Sequence, residues 1–406
     1  MSRWRAKSIG ATQRLDRSCY NNLVDKLIYL DHAAATPLDD RVFAAMLPFF
    51  SDQFYNPSSP YAPAVYVRRI YEEARHQLAA ALGGKADEIV ITAGATESIN
   101  IMFGSVDGHV VTSSIEHAAV LEVAKRHEHT LVSPDSTGMI SAQSVARAIR
   151  PNTSLVSIQL ANNELGTIQP LRAIAAIVKS ERQRRRSAGE TTPIYFHTDA
   201  SQGVGHIDCS ASRLGVDAMT LNAGKIYGPK QVGLLWAASH VKLLPHIVGG
   251  GQEMGLRSGT ENVAGAVGFA TALELAVTHK NSEVKRLATL RDHLQSALLE
   301  QFSTAIVSGN QKKRLPGYLH ISFPGLDAER LLFMLETRNV LVATGSACAA
   351  NKGTRSHVLT AIGLAPDVAD GSLRITLGRL TNEHGVERAL AIIKEVVSNE
   401  YERVAS

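Results

Sequence analysis

Four residues of this chain carry groups that chemistry can use, and each sits in a run of small or polar neighbours. Cys348 lies in Ala343-Thr344-Gly345-Ser346-Ala347-Cys348-Ala349, where small side chains leave a thiol free to reach a substrate. Lys225 stands in Gly224-Lys225-Ile226-Tyr227-Gly228-Pro229-Lys230, Asp199 in Phe196-His197-Thr198-Asp199-Ala200, and Arg374 in Ser372-Leu373-Arg374-Ile375-Thr376-Leu377-Gly378-Arg379. Each alone has an ordinary structural explanation: an inert buried thiol, a surface cation, a capping carboxylate. Together they offer a nucleophile, an amine, an acid and an anion-binding fork.

That set matches what an amino-acid electron sink requires: a lysine for a covalent bond to an aldehyde cofactor, a carboxylate to keep a pyridine nitrogen protonated, and a flat group over the ring. Read with Cys348, it describes a pyridoxal-phosphate site with a sulfur-handling cysteine. His117, in Ser113-Ser114-Ile115-Glu116-His117, offers the flat group and a proton carrier, or else a histidine satisfied by a backbone carbonyl. Asn163 and Gln202 are polar groups suited to a phenolic oxygen. Thr92-Ala93-Gly94-Ala95-Thr96-Glu97-Ser98 opens a helical pattern and could receive a phosphate on its N–H groups and the Thr96 hydroxyl, or simply be capped by Thr96. Neither GxxxxGK[ST] nor GxGxxG occurs, which argues against a nucleotide as the owner of that phosphate.

These residues need elements to position them. Short β-rich runs alternate with helical patterns, as in an α/β fold with a mainly parallel sheet. Expected strands are Glu88 to Thr92, Val110 to Thr112, Leu155 to Leu160, Ile194 to Thr198, Ala218 to Leu221 and Gly233 to Trp236, and almost every motif falls at or just past one of their ends, where such sheets bind ligands. A long charged helix is expected from about Asn281 to Phe302, followed by a strand from Tyr318 to Phe323. We therefore expect an N-terminal extension over 1–27, a large domain over 28–275 whose first residues pack on the small one, and a small α+β domain over 276–406 carrying the cysteine loop.

Composition sets the outer bounds. With 406 residues and 45% hydrophobic content the chain can bury two cores, and a net charge of +4 with 5% aromatic residues offers no stacking surface for nucleic acid. Cys19, Cys209 and Cys348 form neither a CxxC pair nor an even disulfide set, which points to a reducing, cytoplasmic setting. No metal site and no membrane span is expected. The basic stretch before residue 28 reads as a disordered tail rather than an organelle-targeting segment.

Taken in order, Tyr29-Leu30-Asp31-His32-Ala33-Ala34, Asn56-Pro57-Ser58-Ser59, Gly94-Ala95-Thr96-Glu97-Ser98, Glu116-His117, Asn162-Asn163-Glu164-Leu165-Gly166, His197-Thr198-Asp199-Ala200-Ser201-Gln202, the Lys225 motif, Arg257-Ser258-Gly259-Thr260-Glu261-Asn262, Gly345-Ser346-Ala347-Cys348 and the Arg374 motif resemble the cysteine desulfurases of the NifS/IscS type, over about residues 28 to 400. The resemblance implies a fold-type I, class V aminotransferase-like homodimer with a seven-stranded, mainly parallel sheet. It implies pyridoxal 5'-phosphate bound by Ala95, Thr96, His117, Asn163, Asp199, Gln202 and Lys225, with Thr260 reaching across from the other subunit. Asn163 and Arg374 would hold the carboxylate of L-cysteine, Lys225 and His117 would move protons, and Cys348 would take the sulfur as a persulfide for a sulfur-acceptor protein.

The chain departs from that pattern at Asn222-Ala223-Gly224, where Ser-Gly-His is common, at Met254 in place of an Arg, at Ala35 in place of a Thr, and across Pro60 to Ala64. The polar loop after Cys348 has the length of the long mobile kind. The acceptor, whether an iron–sulfur scaffold, a tRNA-modifying enzyme or a DNA-sulfur system, is left open. A selenocysteine lyase or other β-lyase would share Lys225, Asp199 and Arg374, and a non-catalytic scaffold would have no need of all four groups.

Overall fold

The computed structural model describes residues 27–345 and 355–406. Its largest element is a seven-stranded sheet built from β2 (Ile89–Thr92), β3 (His109–Ser113), β4 (His129–Val132), β5 (Thr153–Ser157), β6 (Tyr195–Asp199), β7 (Ala218–Asn222) and β8 (Gly233–Ala237). The order across the sheet is β2-β8-β7-β6-β5-β3-β4, parallel throughout except that β8 runs antiparallel to both its neighbours. The expected mainly parallel seven-stranded sheet is what the chain forms. Helices cover both faces, so strands such as Ile-Val-Ile-Thr and Gly-Leu-Leu-Trp-Ala are buried along their whole length and lack polar alternation.

Because β8 reverses direction, β2 points the same way as β7 and the other parallel strands. The carboxyl ends of β2, β3, β5, β6 and β7 therefore open on one edge of the sheet, and the residues just beyond them face one another.

A second core forms around a three-stranded antiparallel sheet of β9 (Ile306–Ser308), β10 (Tyr318–Ser322) and β12 (Ser372–Thr376), in the order β12-β10-β9. Leu319, Ile321, Leu373 and Ile375 pack there against Val386, Ile393 and Val397 of the helix Glu383–Ala405. The strand β1 (Ile28–Tyr29) pairs in parallel with β11 (Val340–Leu341), and Ile28 and Leu30 belong to this second core.

One helix, Val263–Gln301, serves both cores. The charged helix expected from Asn281 to Phe302 is its second half. Leu287, Leu290, Leu294 and Leu298 recur at three- and four-residue spacing and face the small sheet. Its first half is rich in small residues and buries Phe269 and Leu273 in the large core. There the helix runs so close to its neighbours that a Cβ at Gly268 would lie 2.5 Å from the Met46 sulfur. Asn262 starts the helix, its Oδ1 accepting from the Gly265 N–H at 2.9 Å. No helix among the described residues is long and apolar enough to cross a membrane.

Candidate active site

Beyond the strand ends lies a cavity of about 420 Å³, lined by Ala95, Thr96, His117, Asn163, Asp199, Gln202, Lys225 and Arg374 among others. All the described residues expected to hold cofactor or substrate thus meet in one place, except Thr260. Thr260 is exposed and does not line this cavity; the expectation for it concerns the cavity of a second subunit. Cys348 and Cys19 lie outside the described residues, as do residues 1–26 of the extension expected over 1–27.

The local sequence explains each placement. Asp199 is the last residue of β6, and its Oδ1 accepts from the Ser201 N–H at 2.9 Å, which holds the carboxylate at the strand end. Lys225 ends the single turn Ala223–Lys225 that follows β7, and Asn222 caps that turn by accepting from the Gly224 N–H at 3.0 Å. The Lys225 Nζ donates to the carbonyls of Ala33 and Ala34 at 2.8 and 2.7 Å. Burial beside the Arg374 cation pushes its pKa below the ordinary lysine value, partly offset by Asp199 and Asp31.

His117 caps the helix Ala118–Ala124, its Nδ1 accepting from the Ala119 N–H at 3.1 Å. A proton on this ring in the neutral form therefore sits on Nε2. Burial lowers its pKa, and the Asp199 carboxylate works the other way. Beside it, burial pushes the Glu116 carboxyl up to about 8, against hydrogen bonds from Ser113 and the Gln159 N–H.

Gln202 donates to the Ala33 carbonyl at 3.1 Å and accepts from the Tyr318 hydroxyl. Arg374 arrives from β12 in the second core. It donates to the Asn163 carbonyl at 3.2 Å and to Asp31 at 2.7 Å.

A second lobe of about 290 Å³ adjoins the first at the start of the helix Ala95–Gly104, and it is lined by Gly94, Ala95, Thr96, Asn222, Gly224 and Lys230. Gly94, not Thr96, is the N-cap, and no side chain caps the helix there. The free first-turn N–H groups suit an anion. Gly233 makes room for this turn, since a Cβ on it would come within 2.7 Å of the Gly94 backbone.

Sequence reasoning passed over Glu164, Ser201 and His357, which also line the main cavity. Ser201 keeps its hydroxyl buried with no partner. Burial raises the Glu164 pKa while its Oε2 accepts from the Ser356 hydroxyl at 2.6 Å. His357 donates from Nε2 to the Glu116 carbonyl at 3.0 Å. Glu164 and Ser201 were flanked by residues already of interest; His357 follows the cysteine loop directly, and no local pattern marks it.

A cavity with a buried amine, a carboxylate at a strand end, an imidazole cap and an adjoining anion lobe fits an aldehyde cofactor carrying a phosphate, and its volume admits such a ring together with a small amino acid. The class this defines is the pyridoxal-phosphate-dependent transferases of α/β fold. Comparison narrows it. Residues 28–389 match the family model for aminotransferase class-V. The cysteine desulfurase IscS of Dictyoglomus turgidum is 39% identical over 382 residues, covering 91% of this chain and 94% of that protein. Among solved structures, a NifS-like protein aligns with a TM-score of 0.84 at 34% identity over 92% of this chain and 100% of its own, and SspA in complex with cysteine aligns with a TM-score of 0.73 at 35% identity over 86% and 98%. The chain belongs to the class-V aminotransferase family, alongside its cysteine desulfurases of the IscS and NifS kind, and its cofactor is pyridoxal 5'-phosphate.

Proposed function

We propose that this chain is a cysteine desulfurase that takes sulfur from L-cysteine, releases L-alanine, and passes the sulfur from Cys348 to an acceptor protein. The observation that carries the reading is the convergence of Lys225, Asp199, His117 and Arg374 on one cavity in a chain 39% identical to such an enzyme. The bound cofactor supplies the electron sink that makes the substrate's α-proton removable.

The protein's own residues do the rest. Lys225, its amine made easier to deprotonate by burial, holds the cofactor and then carries the α-proton. Asp199 would hold the pyridine nitrogen, Gln202 the phenolic oxygen, and His117 would lie over the ring. The N-terminal turn holding Ala95 and Thr96 would receive the phosphate. Arg374 and Asn163 fix the substrate carboxylate so that its sulfur faces the cysteine loop. The Cys348 thiolate attacks that sulfur; an S–S bond forms as the C–S bond breaks, the C–S electron pair stays with the three-carbon fragment, which is protonated and leaves as alanine, and a persulfide stays on the protein.

The working form in this reading is a homodimer. Phe43, Leu47, Phe50, Phe54, Tyr61 and Tyr66 are all exposed large apolar residues within positions 43–66, with Phe50 62% and Phe54 67% exposed, and in this reading a second copy covers them. Thr260 would then complete the phosphate site of the partner. In this reading a large domain over 28–275 holds the cofactor, and a small one over 276–406 carries Arg374 and Cys348.

The test is product analysis with L-cysteine and a reductant. Wild type is expected to form alanine and sulfide in equal amounts, and Cys348→Ala neither. Alanine formed at the wild-type rate by Cys348→Ala would replace this reading with that of a lyase independent of the cysteine.

A further inference from the structure

Arg374 enters the cavity already half matched. Its Nη2 donates to the Asp31 Oδ1 at 2.7 Å, its Nη1 donates to the Asn163 carbonyl at 3.2 Å, and its Nε is buried without a partner. The arginine side chain is 3% exposed and that of Asp31 17%, so little water screens the pair. Glu164 also lies near Arg374, but its Oε2 accepts from the Ser356 hydroxyl at 2.6 Å and burial raises its pKa, whereas Asp31 is the carboxylate that makes the ion pair with the guanidinium.

Asp31 is held there by the chain itself. It forms a parallel bridge with Thr376, two residues beyond Arg374, and its backbone carbonyl accepts from the Tyr29 hydroxyl at 2.8 Å. Arg374 is anchored independently: its backbone exchanges hydrogen bonds with Ala343, and its Nη1 bond to Asn163 does not involve Asp31. Removing the Asp31 charge would therefore leave the guanidinium in place but unbalanced.

We propose that Asp31 is an affinity-lowering counter-carboxylate: it occupies one side of Arg374 and repels an incoming carboxylate, so that amino acids bind only as tightly as release of a carboxylate-bearing product permits. This rests on the reading of the cavity as an amino-acid site. Both L-cysteine and L-alanine carry the carboxylate, so Asp31 weakens both alike, and ligands without a carboxylate meet no such repulsion at Arg374.

The experiment titrates the holoenzyme with L-alanine and with ethylamine, which is alanine without its carboxylate, and reads the visible absorbance of the cofactor. For Asp31→Asn the alanine dissociation constant is expected to fall by about threefold or more while that of ethylamine stays within about twofold, and KM for L-cysteine should fall with it. Asp31→Glu, which keeps the charge, is expected to stay within about twofold of wild type for both ligands. Unchanged or weaker alanine binding in Asp31→Asn, with ethylamine unaffected, overturns the proposal, as does an Asp31→Glu variant that tightens alanine as the amide does. If wild type responds to neither ligand, the cavity is not an amino-acid site and both readings fall together.

Discussion

The Nζ of Lys225 lies 2.8 Å from the carbonyl oxygen of Ala33, a contact between residues 192 apart in sequence. Backbone from the start of the described chain thus holds the amine at the centre of the cavity. That backbone is pinned in turn, for the Ala33 N–H donates to the Thr376 hydroxyl at 3.0 Å and the Leu30 N–H to the Leu341 carbonyl at 2.8 Å. The lysine, the first strand and the Arg374 strand therefore form one connected unit.

Replacing Lys225 should remove the covalent hold on the cofactor and the proton carrier together. Lys225→Ala is expected to lose the visible absorbance of the bound cofactor after gel filtration and to lower kcat by about a thousandfold or more. Because burial lowers the lysine pKa, the neutral amine of the wild type is available at lower pH than for a free lysine. Retained absorbance and near-normal kcat would remove Lys225 from its role.

Glu253 anchors the segment that leads to Thr260. Its carboxylate accepts from Arg75 at 2.6 and 2.7 Å, from the Tyr71 hydroxyl at 2.6 Å and from the Ile91 N–H at 2.6 Å, all buried. Its backbone sits at φ 48°, with Met254 at φ 57°, a conformation that non-glycine residues adopt at a cost and that this clamp maintains. Glu253→Ala leaves buried Arg75 with only the half-exposed Glu72 as a counter-charge and strands the Tyr71 hydroxyl and the Ile91 N–H, and it is expected to cost about 3–5 kcal/mol in urea unfolding. A loss below about 1 kcal/mol would show the clamp to be dispensable.

Buried histidines make stability depend on pH. Burial lowers His197 and His206 to about 4 and His320 to about 3, while in the unfolded chain they titrate near the ordinary value of 6.5. Between those limits the unfolded chain binds more protons than the folded one, so their contribution is fully present above about pH 6.5 and is lost as pH falls through about 4. Unfolding free energy should drop on the order of 1 kcal/mol per histidine per pH unit across that window. A flat profile from pH 7 to 5 would contradict it.

Cys209 should be silent to thiol reagents. It is buried, and desolvation with the nearby Asp208 raises its pKa to about 12. Alkylation of the native protein at pH 8 followed by peptide mass analysis should leave Cys209 unmodified, and rapid labelling there would show that the large core opens.

The motif-bearing strands were legible because β2, β3 and β5 to β8 are apolar runs ending in polar motifs. Others were not. β4, His-Thr-Leu-Val, is a four-residue strand at the sheet edge with Leu131 exposed, and β9 has three residues, so neither shows a pattern long enough to read. The first half of Val263–Gln301 carries no clear helical signal, because Gly265 and Gly268 lower helix propensity, and tertiary packing on Met46 overrides that. In the site, the expected residues came from local motifs. The Asp31–Arg374 pair did not, because it joins residues 343 apart through a bridge that no local pattern encodes.

The central claim is that sulfur leaves L-cysteine onto Cys348. The most direct measurement is the intact mass and peptide map of the holoenzyme after one equivalent of L-cysteine without reductant, with alanine quantified in the same sample. The account predicts one added sulfur atom on the Cys348 peptide and one alanine for each. Alanine formed with no sulfur on Cys348, or with sulfur on Cys19 or Cys209 instead, would contradict it.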